Sequence, residues 1–148
     1  GDYAGILLYE SLFRFGYSNR AESHSLDDGL ELSSCRITNA VKCRPPQNKP
    51  TGKEINICNH YLTAELESMR PGTVIMALGS IAHNAVLKAQ GIKLSQCKFG
   101  HGHLHQLADN RWLIDSYHCS RYNTQTKRLT ETMFHDIFRQ VDNLLGRA

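Results

Sequence analysis

The chain has 148 residues, 41% of them apolar and 21% charged, with a formal charge of +3. No apolar run approaches the roughly 20 residues a helix needs to cross a bilayer, disorder is excluded as the main state, and one core of this size needs neither disulfides nor a structural metal. The charge is uneven: residues 1 to 34 hold six acids against two bases, whereas residues 36 to 53 hold five bases and no acid, a local basic segment suited to an anionic partner.

The chain opens on Gly1-Asp2-Tyr3 without a methionine and reads as the interior of a longer sequence. From residue 4 to residue 15, Leu8, Ser11, Leu12 and Phe15 share a helical face and Gly16 follows, so a helix closed by a left-handed glycine is expected. Residues 18 to 30 are polar and read as a loop. Leu32 to Val41 is rich in Ile, Thr, Cys and Val and is expected to be a strand, ending in the basic, proline-punctuated loop Lys42 to Pro50.

Thr51-Gly52-Lys53-Glu54 has capping-box spacing, and Cys58, Leu62, Leu66 and Met69 recur at helical intervals, predicting a helix to about Arg70. Thr73 to Leu78 is a continuous apolar run and therefore a buried strand. After the turn Gly79-Ser80, the positions of Ala82, Ala85, Val86 and Ala89 predict a helix. Phe99 to Leu107 and Trp112 to Tyr117 read as strands joined by a turn at Ala108 to Arg111. A final helix is marked by Met133, Phe134, Ile137, Phe138, Val141, Leu144 and Leu145, with Gly146 after it. This alternation predicts an α/β fold: a three-layer α/β/α sandwich on a short, mainly parallel central sheet of about four strands, in one domain over residues 1–148.

In open α/β sheets, ligands collect at the carboxyl ends of the strands. Asn39 lies at one such end; its amide offers a donor and an acceptor and suits either the edge of a base or a turn hydrogen bond. His118 lies just past another, where an imidazole suits either a developing oxyanion or plain solvent. The acid-free segment after it, from Cys119 to Thr126, suits a nucleic-acid groove or an ordinary polar loop. Ser80 opens a helix whose free amides suit a phosphate.

Five cysteines without a Cys-x-x-Cys pair do not suit a secreted disulfide scaffold and point to a reducing, intracellular compartment. Cys43 and Cys58 stand where thiolates can ligate an iron–sulfur cluster, while Cys35 and Cys97 read as small core residues. His101, His103 and His105 alternate as in a zinc site but lack an adjacent acid or cysteine in sequence, and a small zinc-dependent hydrolase is one competing reading. Asp2, just before the first helix, is either an N-cap or a carboxylate that orients water.

Gly1-Asp2-Tyr3-Ala4-Gly5, Ile37-Thr38-Asn39-Ala40-Val41-Lys42-Cys43-Arg44-Pro45-Pro46, Ala77-Leu78-Gly79-Ser80-Ile81-Ala82-His83 and Tyr117-His118-Cys119-Ser120-Arg121-Tyr122-Asn123 follow one another in this order. In that order and spacing they resemble the uracil-DNA glycosylase superfamily, and most closely its iron–sulfur members of family 5, or b-type; the Cys43 to Cys58 interval also resembles that type. The resemblance implies flipping of uracil out of DNA and hydrolysis of its N-glycosidic bond, leaving an abasic site. It implies that Asn39 reads the base, that His118 stabilises the departing uracil anion, and that Asp2 either positions the attacking water or stabilises an oxocarbenium-like sugar.

By the same resemblance Ser120, Arg121, Tyr122 and Asn123 enter the minor groove, and Lys42, Arg44, Lys49 and Ser80 contact phosphates. Cys43 and Cys58 match two of the four ligands of a structural 4Fe-4S cluster. The partner implied is uracil-containing DNA, met by a monomer with no membrane attachment. The chain departs from the family pattern in lacking an upstream cysteine pair, a Gly-rich segment and a stacking Phe before Gly1, and in carrying Cys119 for Pro, Ala4 for Ser and Tyr122 for Gln. The alternative is a nucleic-acid-binding module of the same fold without turnover.

Overall fold

The computed structural model describes residues 3–21, 32–38 and 62–147. They fall into two compact units, a sheet unit within residues 38–116 and a helical unit built from residues 1–37 and 117–148.

The sheet unit forms around β1 (Val74–Leu78), β2 (Leu104–Gln106) and β3 (Trp112–Ser116), in the order β1-β3-β2. β1 and β3 run parallel in register from Val74↔Trp112 to Leu78↔Ser116, and β2 pairs antiparallel with β3, setting His105 opposite Leu113. Parallel strands require a crossover, and this one contains helix α3 (Ser80–Ala89). The apolar run that predicted β1 is explained by what covers it. Leu62 and Leu66 of the helical residues 62–67 (α2), Ala85, Val86 and Leu87 of α3, and Leu107 and Leu113 gather around Ala77 in one core. The guanidinium of Arg111 donates to the Met69 carbonyl, tying the entry of β3 to the chain after α2.

The α/β class is as expected, and the sheet differs from expectation in detail. Among the described residues it has three strands, with one parallel and one antiparallel pair. The stretch predicted as a strand over Leu32–Val41 pairs into no sheet where it is described, at residues 32–38. Leu32 makes only an isolated bridge to Ser18, and Ser34 turns the backbone left-handed at φ 58°, which ends a strand. Residues 39–41 lie outside the described residues. The strand predicted over Phe99–Leu107 shortens to β2 because Gly102, at φ 81°, makes a bulge: its N–H donates to the Asp115 carbonyl while His103 accepts from the Asp115 N–H.

In the helical unit α1 (Tyr3–Arg14) packs on α5 (Glu131–Leu145). Both helices close on the expected glycine. At Gly16 and Gly146 the backbone is left-handed (φ 83° and 76°), and the next residue donates five positions back, Tyr17 to Leu12 at 2.7 Å and Arg147 to Asp142 at 2.7 Å. α5 starts on Thr130, whose Oγ1 accepts from Met133 N at 3.1 Å. Phe134, Ile137 and Phe138 are buried, each contributing about 1.5–3 kcal/mol of transfer free energy. Phe15 stacks on Phe138 at 5.2 Å between ring centroids. One helix was not foreseen: α4 (Arg121–Gln125) forms inside the segment read as a loop.

Two titratable groups are carried in this packing. The Tyr17 hydroxyl donates to Asp142 at 2.5 Å, and burial with that carboxylate pushes its pKa up to about 12. His135 is buried, its Nε2 has no hydrogen-bond partner among the described residues, and burial followed by the charge of Arg14 lowers its pKa. The unfolded ring therefore takes up a proton before the folded one as pH falls, so this contribution to stability is present above about 6.5 and is lost below it. His135→Leu is expected to gain stability relative to the parent as pH falls from 7.5 to 5, read from urea midpoints at each pH; a constant difference would contradict this. Tyr17 has the opposite sign: its proton is held more tightly when folded, so stability drains away as pH rises between 10 and about 12. Tyr17→Phe should remove that alkaline loss in thermal melts and cost about 1 kcal/mol at neutral pH.

Candidate functional site

Of the residues singled out from sequence, Ser80, His118, Ser120, Arg121, Tyr122 and Asn123 are described; Asp2, Asn39, Lys42, Cys43, Arg44, Lys49 and Cys58 lie outside the described residues. The described ones belong to two places, one in each unit.

In the helical unit, His118 lies two residues past the end of β3 along the chain and is exposed. Its carbonyl accepts from Asn123 Nδ2 at 2.9 Å. Asn123 holds the segment at two more points: its N–H donates to Ser120 Oγ at 3.3 Å, and its carbonyl accepts from Leu129 N at 3.0 Å. Ser120 is thus the N-cap of α4. Thr124 and Thr126 return their hydroxyls to the carbonyls of Ser120 and Tyr122. A segment that reads as loose in sequence is therefore pinned by its own short polar side chains. Tyr122 stands out from α4 with 73% of its surface exposed, while Cys119 is buried at 1%.

In the sheet unit, Ser80 is exposed at the first position of α3. Gly79 precedes it at φ 96°, a conformation that favours glycine, and its N–H donates to the Ser116 carbonyl at 2.8 Å. Among the described residues no side chain caps the start of α3, and its N-cap, Gly79, has none to offer the first-turn amides.

Below that start lies a cluster that sequence reasoning missed. Asp115 is fully buried, and each of its oxygens meets an imidazole: Oδ1 is 2.7 Å from His83 Nδ1, and Oδ2 is 3.0 Å from His105 Nε2. His83 Nε2 is in turn 2.7 Å from the Cys97 carbonyl. The fold explains the meeting. Leu113 and Asp115 share a face of β3, the register puts His105 on that face, and His83 lies one turn before Val86 and Leu87 on the buried side of α3. The sequence signal was an acid inside the apolar strand Trp112-Leu113-Ile114-Asp115-Ser116, which cannot be buried unpaired.

The three alternating histidines do not act as a set. His103 Nδ1 is 3.2 Å from the Lys98 carbonyl, whereas His105 joins the carboxylate. His83, His105 and Asp115 are the one group of three such donors to gather among the described residues. Two ligands of a tetrahedral zinc held at about 2.0–2.1 Å stand roughly 3.3 Å apart; spacings of 2.7 and 3.0 Å are those of hydrogen bonds. The set that gathers is therefore not the His101, His103 and His105 set expected from sequence. Cys97 packs against the core as expected, and Cys35 is half-buried, its thiol pushed up by burial and 3.9 Å from the Tyr17 carbonyl.

A profile of the uracil DNA glycosylase superfamily matches residues 1–142. The chain is 41% identical over 146 residues to a type-5 uracil-DNA glycosylase of Thermus thermophilus, covering 99% of this chain and 66% of that protein. It is 41% identical over 140 residues to one of Pyrobaculum aerophilum, covering 95% and 60%. With one of Mycobacterium tuberculosis it shares 38% over 148 residues, covering 99% and 55%. The chain thus spans less than two thirds of the length of these relatives. An α/β chain that matches this profile over nearly its whole length belongs to the uracil DNA glycosylase superfamily.

Proposed function

We propose that this chain is the greater part of a DNA-repair glycosylase that flips uracil, or another deaminated base, out of DNA and hydrolyses its N-glycosidic bond, leaving an abasic site. The observation that carries the reading is 41% identity, over 99% of this chain, to a relative named a type-5 uracil-DNA glycosylase. The profile runs through both units in one stretch, which supports reading residues 1–148 as a single domain. Kinship with relatives bearing that name disfavours a nucleic-acid-binding module without turnover.

Flipping costs a few kcal/mol, least at a mispair such as U·G, so part of the selectivity lies in the DNA itself. Asn39 reads the exposed edge of the base, worth about 1–3 kcal/mol if it bonds at two points. His118 donates to the uracil oxygen that becomes negative as the bond breaks. Its exposure and the bond from Asn123 to its carbonyl support this role, because the backbone is held while the ring is open to a ligand. Asp2 orients the attacking water. Tyr122, 73% exposed on α4, fills the space the base vacates, with Ser120 and Arg121 beside it and Asn123 bracing the segment beneath. Lys42, Arg44, Lys49 and the α3 start at Ser80 hold phosphates; the absence of a side-chain cap on α3 supports the last of these.

Cys43 and Cys58 contribute two thiolates to a 4Fe-4S cluster, a group that needs four. The other three cysteines are placed otherwise: Cys119 is buried in the helical unit, Cys97 is in the sheet core, and Cys35 lies beside Tyr17. This donor set fits half a cluster, and the remaining thiolates would come from chain beyond these 148 residues. When bound, the cluster anchors the basic loop and takes no part in bond cleavage. A single flipped base fills a single pocket, which suits a monomer acting on DNA in a reducing, intracellular compartment. No described helix is long and apolar enough to cross a membrane.

The test is a duplex with one U·G pair, incubated with the full-length protein and then treated with hot alkali; cleavage at the uracil is expected, and an uncut strand contradicts the reading. His118→Ala should slow base release by about 10²–10³-fold, and Asn39→Ala should also slow it, while duplex affinity changes little in both. An equal loss of release and binding would remove them from the pocket. Arg44→Ala should weaken binding to any sequence and lower the slope of log affinity against log salt by about 1; an unchanged slope would remove Arg44 from the phosphate contacts.

A further inference from the structure

The cluster of His83, Asp115 and His105 has no place in the proposed reaction, yet its hydrogen-bond geometry defines a charge state. Both ring nitrogens of His83 face oxygen at 2.7 Å, Nδ1 toward Asp115 Oδ1 and Nε2 toward the Cys97 carbonyl. A carbonyl oxygen can only accept, so Nε2 must carry a proton. One further proton lies between Nδ1 and the carboxyl group. The second Asp115 oxygen lies 3.0 Å from His105 Nε2, and the tautomer of His105 that donates there favours the ionised carboxylate, which leaves the shared proton on the His83 ring. Asp115 is 0% and His83 1% exposed, so water cannot compensate an ionised carboxylate here and its counter-charge has to come from the ring beside it.

We propose that His83 is held as a doubly protonated imidazolium, the internal counter-ion of Asp115, and that with His105 the pair forms a closed charge clamp joining α3 and β2 to β3. Among the described residues the other rings facing His83 are Phe99, edge-on at 5.5 Å, and His105 at 5.4 Å, behind which His103 stands 6.2 Å from His105. None of them brings a second negative charge to the cluster. The clamp commits both oxygens of Asp115, so this acid, only three residues before His118 in the chain, is not available as a base for the reaction.

The proposal is independent of the glycosylase reading, and its test needs no DNA. In the unmodified protein, with histidine isotopically labelled and His83 assigned through its contact with Phe99, heteronuclear NMR at neutral pH should show protons on both nitrogens of the His83 ring. One unprotonated nitrogen on that ring overturns the proposal. Zinc ion alone is the competing probe: unchanged ring signals are expected, and stoichiometric binding with loss of the His83 and His105 ring protons overturns it. His83→Gln and Asp115→Asn should each lower the melting temperature, and the double variant, which sets two neutral amides face to face, should lose less than the sum of the two. Strict additivity would show that no ion pair exists.

Discussion

A carboxylate without access to water stands in the middle strand of the sheet, and the sheet unit is arranged around keeping it paired. Asp115 needs one imidazole from each side. His83 must therefore come down from α3, and His105 must come across from β2 in the correct register. A slip of one residue in β2 would turn His105 to the opposite face and leave one oxygen unpaired. Apolar burial alone tolerates some rearrangement; a charge with two directional partners does not. The bulge at Gly102 belongs to the same arrangement, because it closes both backbone bonds of Asp115 while the side chain is engaged on the other side.

The helical unit solves a different problem, that of presenting a polar segment without letting it collapse. Helix α4 is too short to be stable by itself. It persists because Ser120 caps it, Asn123 reaches back to the His118 carbonyl, and Leu129 inserts into the core while its N–H meets the Asn123 carbonyl. What such a scaffold can offer a ligand is an exposed ring at Tyr122 and an exposed imidazole at His118, each on a fixed backbone. That combination suits a duplex with one base extruded, the ring entering the space left in the stack and the imidazole meeting the base that has left it.

Much of this was legible in the residues. The stripe of α5, the glycine closures at Gly16 and Gly146 and the buried run of β1 follow from periodicity and backbone preference, which act locally. Leu32–Val41 misled because its β-branched content suggests extension, whereas Ser33 and Ser34 carry a turn. α4 was hidden because its stability comes from side chains that bond to their own backbone, a pattern easily read as a loop. The clamp was hidden for a stronger reason. Its three members are spread over 33 positions from His83 to Asp115, and nothing local to any of them names the other two; the acid within an apolar strand was the only local sign. For the site, order and spacing of the segments pointed to the family, while the placement of Asn39 and Asp2 lies beyond the described residues.

The central claim is that the chain belongs to an enzyme that releases a base and leaves the DNA backbone intact. Mass spectrometry of a single-uracil duplex after incubation with the full-length protein tests it most directly. The account predicts free uracil, together with a strand of unchanged length whose mass corresponds to an abasic sugar. A strand of unaltered mass, or one already broken at the lesion before any alkali is added, would contradict it.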